Sequence, residues 1–167
     1  MPLGVNFGII NLVVGGLNVK LNELDKELIS LATEIAKSNS DRYTDISMHT
    51  GCVIKAKSGK IYKGVNIKSS HSVCAEQVAI GQALACGERD FDTIVAVKMN
   101  KDGTSRVVSP CGVCRYMFDK LHMGSMHVIV EDAKSGKTLK VKAEELLPYP
   151  YKRESNYIKT IKKTTKK

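Results

Sequence analysis

The 167-residue sequence predicts an α/β fold, a single mixed sheet with helices on both faces, built as one domain. Three observations carry this expectation. Apolar residues first recur at spacings of three and four, then give way to alternating and short continuous hydrophobic runs. Turn residues divide those runs into the order α-β-β-α-β-α-β-β-α. No internal repeat of solenoid or propeller type is present in the sequence.

Taken in order, Leu21, Leu24, Leu28, Leu31 and Ile35 mark an amphipathic helix from Leu21 to about Ser38. Ile46–Ala56 and Ile61–Ile67 read as strands around the turn Lys57-Ser58-Gly59-Lys60, a hairpin. Cys74–Cys86 is rich in Ala, Val, Ile and Leu, carries little polarity and stops at Gly87, so it is expected to be a buried helix. Asp92–Met99 is a hydrophobic strand followed by the polar turn Asn100–Gly103. Cys111–Leu121 is a further helix, Met126–Glu131 and Thr138–Val141 are strands, and Ala143–Leu147 is a helical turn stopped by Pro148 and Pro150.

Composition excludes several classes. With 43% hydrophobic and 26% charged residues, the chain is neither disordered nor built for a membrane. Of the formal charge of +9, residues 152–167 supply +6, seven Lys or Arg against one Glu, leaving +3 on the rest. These residues read as a solvated basic tail, with a nucleic-acid arm as the alternative. The first twenty residues are apolar, but their first basic residue is Lys20, and Gly8, Asn11, Gly15, Gly16 and Asn18 interrupt them. They suit neither a secretory signal nor a membrane span, and they form an extension without an assigned role. Five cysteines without framework spacing point to a reducing, cytoplasmic setting.

Two clusters carry the chemistry. His71-Ser72-Val73-Cys74-Ala75-Glu76 and Ser109-Pro110-Cys111-Gly112-Val113-Cys114-Arg115 each open a predicted helix, where N–H groups and the helix dipole favour a thiolate. A Cys-x-x-Cys pair alone fits a redox couple, a structural zinc knuckle or a catalytic metal site. Three converging thiolates suit zinc. A closed structural site needs a fourth ligand. Cys86 is twelve residues beyond Cys74 on one helix, roughly 18 Å away, and is excluded, while His71 and Cys52 stay open as fourth ligands. Without a fourth protein ligand a position is left for water, and Glu76, two residues past Cys74, can carry its proton. The joint pattern Cys-x-Glu with Pro-Cys-x-x-Cys matches the zinc-dependent base deaminases, one of the patterns for which this signature is known.

On CAE at 74–76, PCGVC at 110–114, GERDFDTIVAVK and EELLP, residues 21–151 resemble the cytidine deaminase family and, within it, most of all the blasticidin S deaminases. The resemblance implies a three-layer α/β/α sandwich around a mixed five-stranded sheet, commonly assembled as a homotetramer with shared active-site walls. It implies Zn2+ on Cys74, Cys111 and Cys114, Glu76 as the proton shuttle, and the Ala75 backbone against the base. Arg115 would neutralise the thiolates, the alternative being a surface helix residue; where many relatives carry a second arginine, this chain has Gln77. At the sugar site the family's Gly-x-Asn-x-Glu reads Gly64-Val65-Asn66-Ile67-Lys68, keeping Asn66 and replacing the acid by Lys68. Tyr151 matches a position where the family brings an aromatic over the pocket, with a packing role as the alternative.

The expected function is hydrolytic deamination of a free cytosine nucleoside: blasticidin S, cytidine or deoxycytidine. A nucleic-acid-editing deaminase and a non-catalytic zinc protein are the alternatives. The body lacks a Lys/Arg cluster interleaved with aromatics, which separates it from the first, and Glu76 separates it from the second.

Overall fold

The computed structural model describes residues 20–42 and 48–151; the expectations for residues 1–19 and for the tail at 152–167 lie outside the described residues. Helix α1 spans Glu23–Arg42. Its start is fixed by a reciprocal cap, in which the Asp25 N–H donates to Asn22 Oδ1 (2.9 Å) and the Asn22 N–H to Asp25 Oδ2 (3.0 Å). Leu28, Ala32 and Ala36, one turn apart each, are fully buried against the sheet.

Strands β1 (Thr50–Ala56) and β2 (Ile61–Val65) form the expected antiparallel hairpin, with Gly59 at φ 90° supplying the left-handed turn position. The second strand is shorter than the sequence predicts, because Ile67 leaves the ladder to bridge Val73 across a small loop. Helix α2 spans Ala75–Ala85, β3 Phe91–Met99, α3 Gly112–Lys120, β5 His127–Glu131 and β6 Thr138–Lys142, followed by a 3-10 turn at Ala143–Leu146. Between β3 and α3 lies a strand absent from the sequence reading, β4 (Ser105–Val108), paired antiparallel with the end of β3. Among the described residues the sheet therefore has six strands, not five, in the order β2-β1-β3-β5-β6 with β4 on β3. Pairing along the path is antiparallel except for β3 with β5, so the sheet is mixed, as expected.

Alternation along the strands sorts side chains into two layers. Cys52, Ile54, Ile94, Ala96, Val128 and Val130 face α2 and α3, where Ile80 and Phe118 complete the core. Val53, Val95, Val97, Val107 and Ile129 face α1 around Leu28. Helices thus cover both faces, the three-layer sandwich of the expectation. Burying a side chain such as Leu28 or Ile54 contributes about 1.5–3 kcal/mol. One ion pair crosses the α1 layer: Lys140 Nζ donates to the wholly buried Asp25 carboxylate at 2.7 Å.

Candidate active site

The site is assembled from two helix starts and a strand. Cys74 caps α2 and Cys111 caps α3, both in extended backbone conformation. Gln77 reaches back from the first turn so that its Oε1 accepts the Cys74 N–H at 3.0 Å, fixing the angle at which the chain enters α2. On the other side, β4 delivers Ser109 and the buried Pro110 to the start of α3. The Ser109 hydroxyl donates to the Glu131 carbonyl at the end of β5 (2.9 Å), anchoring the loop to the sheet.

Three thiols converge there. Cys74 Sγ lies 3.5 Å from Cys111 Sγ, Cys111 Sγ lies 3.7 Å from Cys114 Sγ, and all three sulfurs fall within 4.8 Å of one another. Three sulfurs about 2.3 Å from one tetrahedral zinc would be about 3.8 Å apart, close to the two separations of 3.5 and 3.7 Å. His71 and Cys52, the two open fourth ligands, do not join: among the described residues the metal-binding cluster comprises the three thiols alone. A water position is left open by this donor set.

Electrostatics add a second argument for a cation. Burial, with the neighbouring Cys111 thiol and Glu76, pushes the Cys74 thiol up to about 11. Burial and the charges of Glu76, Cys74 and Cys111 push Cys114 higher still. Only Cys111 is held below the ordinary thiol value; burial opposes this, but hydrogen bonds from the Cys114 and Val113 backbone and the adjacent thiols prevail. The sequence expectation that both helix starts favour thiolates therefore holds for Cys111 and is reversed at Cys74. A dication shared among the sulfurs would reverse the balance by supplying the missing positive charge.

Glu76 sits one helical position past Ala75, only 6% exposed, on the same turn as Cys74. Burial raises its proton affinity above the ordinary carboxylate range, partly offset by a hydrogen bond from its own backbone and one from the Cys114 thiol. A carboxyl beside the sulfurs with raised proton affinity is suited to taking and returning a proton. Beneath it, the Cys52 thiol is completely buried in β1, and burial together with the Glu76 charge keeps it protonated.

The remaining expected site residues are placed as follows. Ala75 is buried in the first turn of α2, against Gly64 of β2. Asn66 follows β2, and its Oδ1 accepts the Thr50 N–H at 2.9 Å. Lys68 is exposed on the small loop closed by the Ile67–Val73 bridge, and it joins no ion pair among the described residues. Arg115 donates to the carbonyls of Pro110 (2.8 Å) and Leu146 (3.4 Å), tying the residue before Cys111 to the 3-10 turn. Tyr151 is 69% exposed and its carbonyl accepts Lys120 Nζ at 2.9 Å. This hydrogen bond ties the Tyr151 backbone to the side chain of Lys120, the last residue of α3. A cavity of about 590 Å³, lined by Arg115, His122, Glu144 and Tyr149 among others, includes none of the thiols.

Sequence reading missed two residues that shape the site. Gln77 was visible only as a departure from the family pattern, although Cys-x-x-Gln has the spacing of a capping box. Ser109 acts through Glu131, which only the β3–β5 pairing brings near.

Comparison with known proteins agrees with this geometry. The family model of the cytidine and deoxycytidylate deaminase zinc-binding region matches residues 22–130. A blasticidin-S deaminase of Bacillus cereus is 39% identical over 140 residues, covering 80% of this chain and 96% of its own length. A cytidine deaminase of Shewanella halifaxensis (strain HAW-EB4) is 35% identical over 112 residues, 64% of this chain and 33% of that longer enzyme. Among solved structures, a cytidine deaminase from Burkholderia pseudomallei aligns with a TM-score of 0.56 at 25% identity, over 73% of this chain and 98% of its own. The matched segment contains both helix starts, all three thiols and Glu76, and the chain belongs to the zinc-dependent cytidine and deoxycytidylate deaminase family.

Proposed function

We propose that this chain hydrolytically deaminates the cytosine ring of a free nucleoside, with blasticidin S as first substrate and cytidine and deoxycytidine in the same class. The observation that carries the reading is Glu76, a buried carboxyl of raised proton affinity on the same turn as one thiol of a three-thiol cluster. Cys74, Cys111 and Cys114 would hold the metal. Zinc, when bound there, supplies a Lewis acid that makes water nucleophilic near neutral pH.

The chain's own residues handle the proton and the ring. Glu76 takes a proton from the attacking water and passes it to the pyrimidine N3. It then serves the exocyclic nitrogen, which departs as ammonia, so that cytosine and water become uracil and ammonia. The Ala75 backbone lies beside the base, and burial around it keeps bulk water from competing. Arg115 supports the Cys111 turn through Pro110. Asn66 and Lys68 face the sugar and its substituent.

Two observations favour blasticidin S. The Bacillus cereus blasticidin-S deaminase is 39% identical over 96% of its length, against 29% over 92% for the cytidine deaminase of Halalkalibacterium halodurans. Lys68 also offers an exposed cation to a carboxylate, where a ribose hydroxyl would need an acceptor. The same reading includes a homotetramer. Val113 (62% exposed), Tyr116, Tyr149 and Tyr151 leave apolar surface around α3 uncovered, which a neighbouring subunit would cover, with Tyr151 walling a shared pocket. Five free cysteines fit action in a reducing cytoplasm, as antibiotic detoxification requires. Loss of cytosine absorbance across a panel of blasticidin S, cytidine, deoxycytidine and single-stranded RNA tests the proposal. Turnover of the nucleosides supports it, and turnover of RNA alone overturns it.

A further inference from the structure

We infer that Gly64 is a positioning residue for the thiol cluster: its missing side chain lets the first turn of α2 settle on β2 and so sets the distance of Cys74 and Glu76 from Cys111 and Cys114. The inference rests on the metal-site reading above. Gly64 lies on the α2 face of the sheet, in register with Cys52, which in turn pairs with Ala96. Cys52, Ala75, Ala79 and Ala96 are all small and buried, so sheet and helix backbones approach each other here. A Cβ built at Gly64 would collide with the Ala75 carbonyl oxygen and lie 2.5 Å from the Ala79 nitrogen. Those two backbone atoms are hydrogen-bond partners in an α-helix and close the turn that carries Glu76.

Contacts under 3.0 Å are essentially never adopted by a Cβ, so a side chain at Gly64 would drive the turn outward by about 0.5 Å or more. The other two thiols would not follow. They stand on α3, which is anchored separately through Ser109 to Glu131 and through Arg115 to Leu146. Metal–ligand distances tolerate shifts of only about 0.2 Å, so a displacement of this size on one ligand of three is felt as weakened binding.

The fold contains its own control. Gly51 on β1 makes the same kind of approach to α1: a Cβ there would collide with the Ala32 carbonyl oxygen and lie 2.6 Å from the Ala36 nitrogen and 2.9 Å from Ile35 Cβ. Helix α1 carries none of the site residues. Two substitutions of equal steric cost therefore differ in one consequence.

The experiment compares Gly64→Ala with Gly51→Ala, and the milder wedges Ala79→Ser with Ala36→Ser, in zinc-loaded protein. Thermal unfolding, the rate of zinc release to a chelator, and kcat and KM are measured for each. Both glycine variants are expected to lose stability. Gly64→Ala alone is expected to release zinc at least ~10-fold faster and to lose about 10–100-fold in kcat, with KM changed far less. Zinc release and kcat in Gly64→Ala that match Gly51→Ala would overturn the inference. Should a glycine variant not fold, the serine pair decides by the same criterion. Zinc release is read without substrate, so a wild-type protein that holds zinc yet deaminates nothing refutes the proposed function while leaving this comparison decisive.

Discussion

Replacing Glu76 by Gln separates chemistry from architecture. The amide keeps the size of the side chain and removes no thiol, so zinc content should stay at the wild-type level. What is lost is a group able to take and return a proton. Such a group contributes about 10²–10⁴-fold, equivalent to about 2.7–5.4 kcal/mol of transition-state stabilisation at 1.36 kcal/mol per decade. Stability should move the other way. Glu76 is only 6% exposed and burial raises its proton affinity. A carboxyl raised in the folded state binds more protons folded than unfolded, so in metal-stripped protein stability falls as pH rises from the ordinary carboxylate pKa, about 4.3, through the raised value. Glutamine carries no such penalty. Metal-stripped Glu76→Gln should therefore be at least as stable as wild type at pH 7–8, with a flatter pH profile in urea unfolding. Assays are steady-state loss of cytosine absorbance, metal analysis and unfolding from pH 4 to 8. Deamination within a few-fold of wild type would refute the proton-carrier role, and a variant markedly less stable would refute the account of its burial.

Other outcomes follow from particular contacts. Lys140→Ala should cost about 3–5 kcal/mol in urea unfolding, because it strands the buried Asp25 carboxylate, and Asp25→Asn combined with Lys140→Met should recover much of that. The Lys55 ammonium, 2.6 Å from Asp92, holds that carboxyl below its ordinary value. The pair's stabilisation is thus present above the ordinary carboxylate pKa and lost as pH falls through the lowered one. Because the Asp92 side chain is 37% exposed, Lys55→Met should remove at most about 1 kcal/mol of the acid sensitivity of unfolding. Lys68→Glu should shift kcat/KM from blasticidin S towards cytidine by roughly tenfold to a hundredfold, read as the ratio of the two substrates; an unchanged ratio would show that Lys68 does not touch the substituent.

Local chemistry was the part legible in the sequence. Cys74, Glu76, Cys111 and Cys114 lie within two short clusters at helix starts, and capping geometry alone brings each cluster into order. Most elements were legible for the same reason, since the periodicity of α1 records one packed face and the continuous apolar run of β3 records a strand covered on both faces. What escaped depends on partners distant in the chain. The strand Ser105–Val108 has four residues and one buried side chain, Val107, so it gains its identity only by pairing with the end of β3. The Asp25–Lys140 pair spans 115 positions, and neither residue differs in sequence from a surface charge. Gly51 and Gly64 read as ordinary strand glycines until the helices above them are known.

The central claim is that three thiols hold one zinc and that this zinc is required for deamination. Metal content and cytosine deamination, measured together on wild type and Cys114→Ser, test it most directly. The account predicts about one zinc per chain in wild type, and loss of both metal and turnover in the variant while it remains folded. Full deamination by protein with background metal, or a folded Cys114→Ser that keeps both zinc and activity, would contradict it.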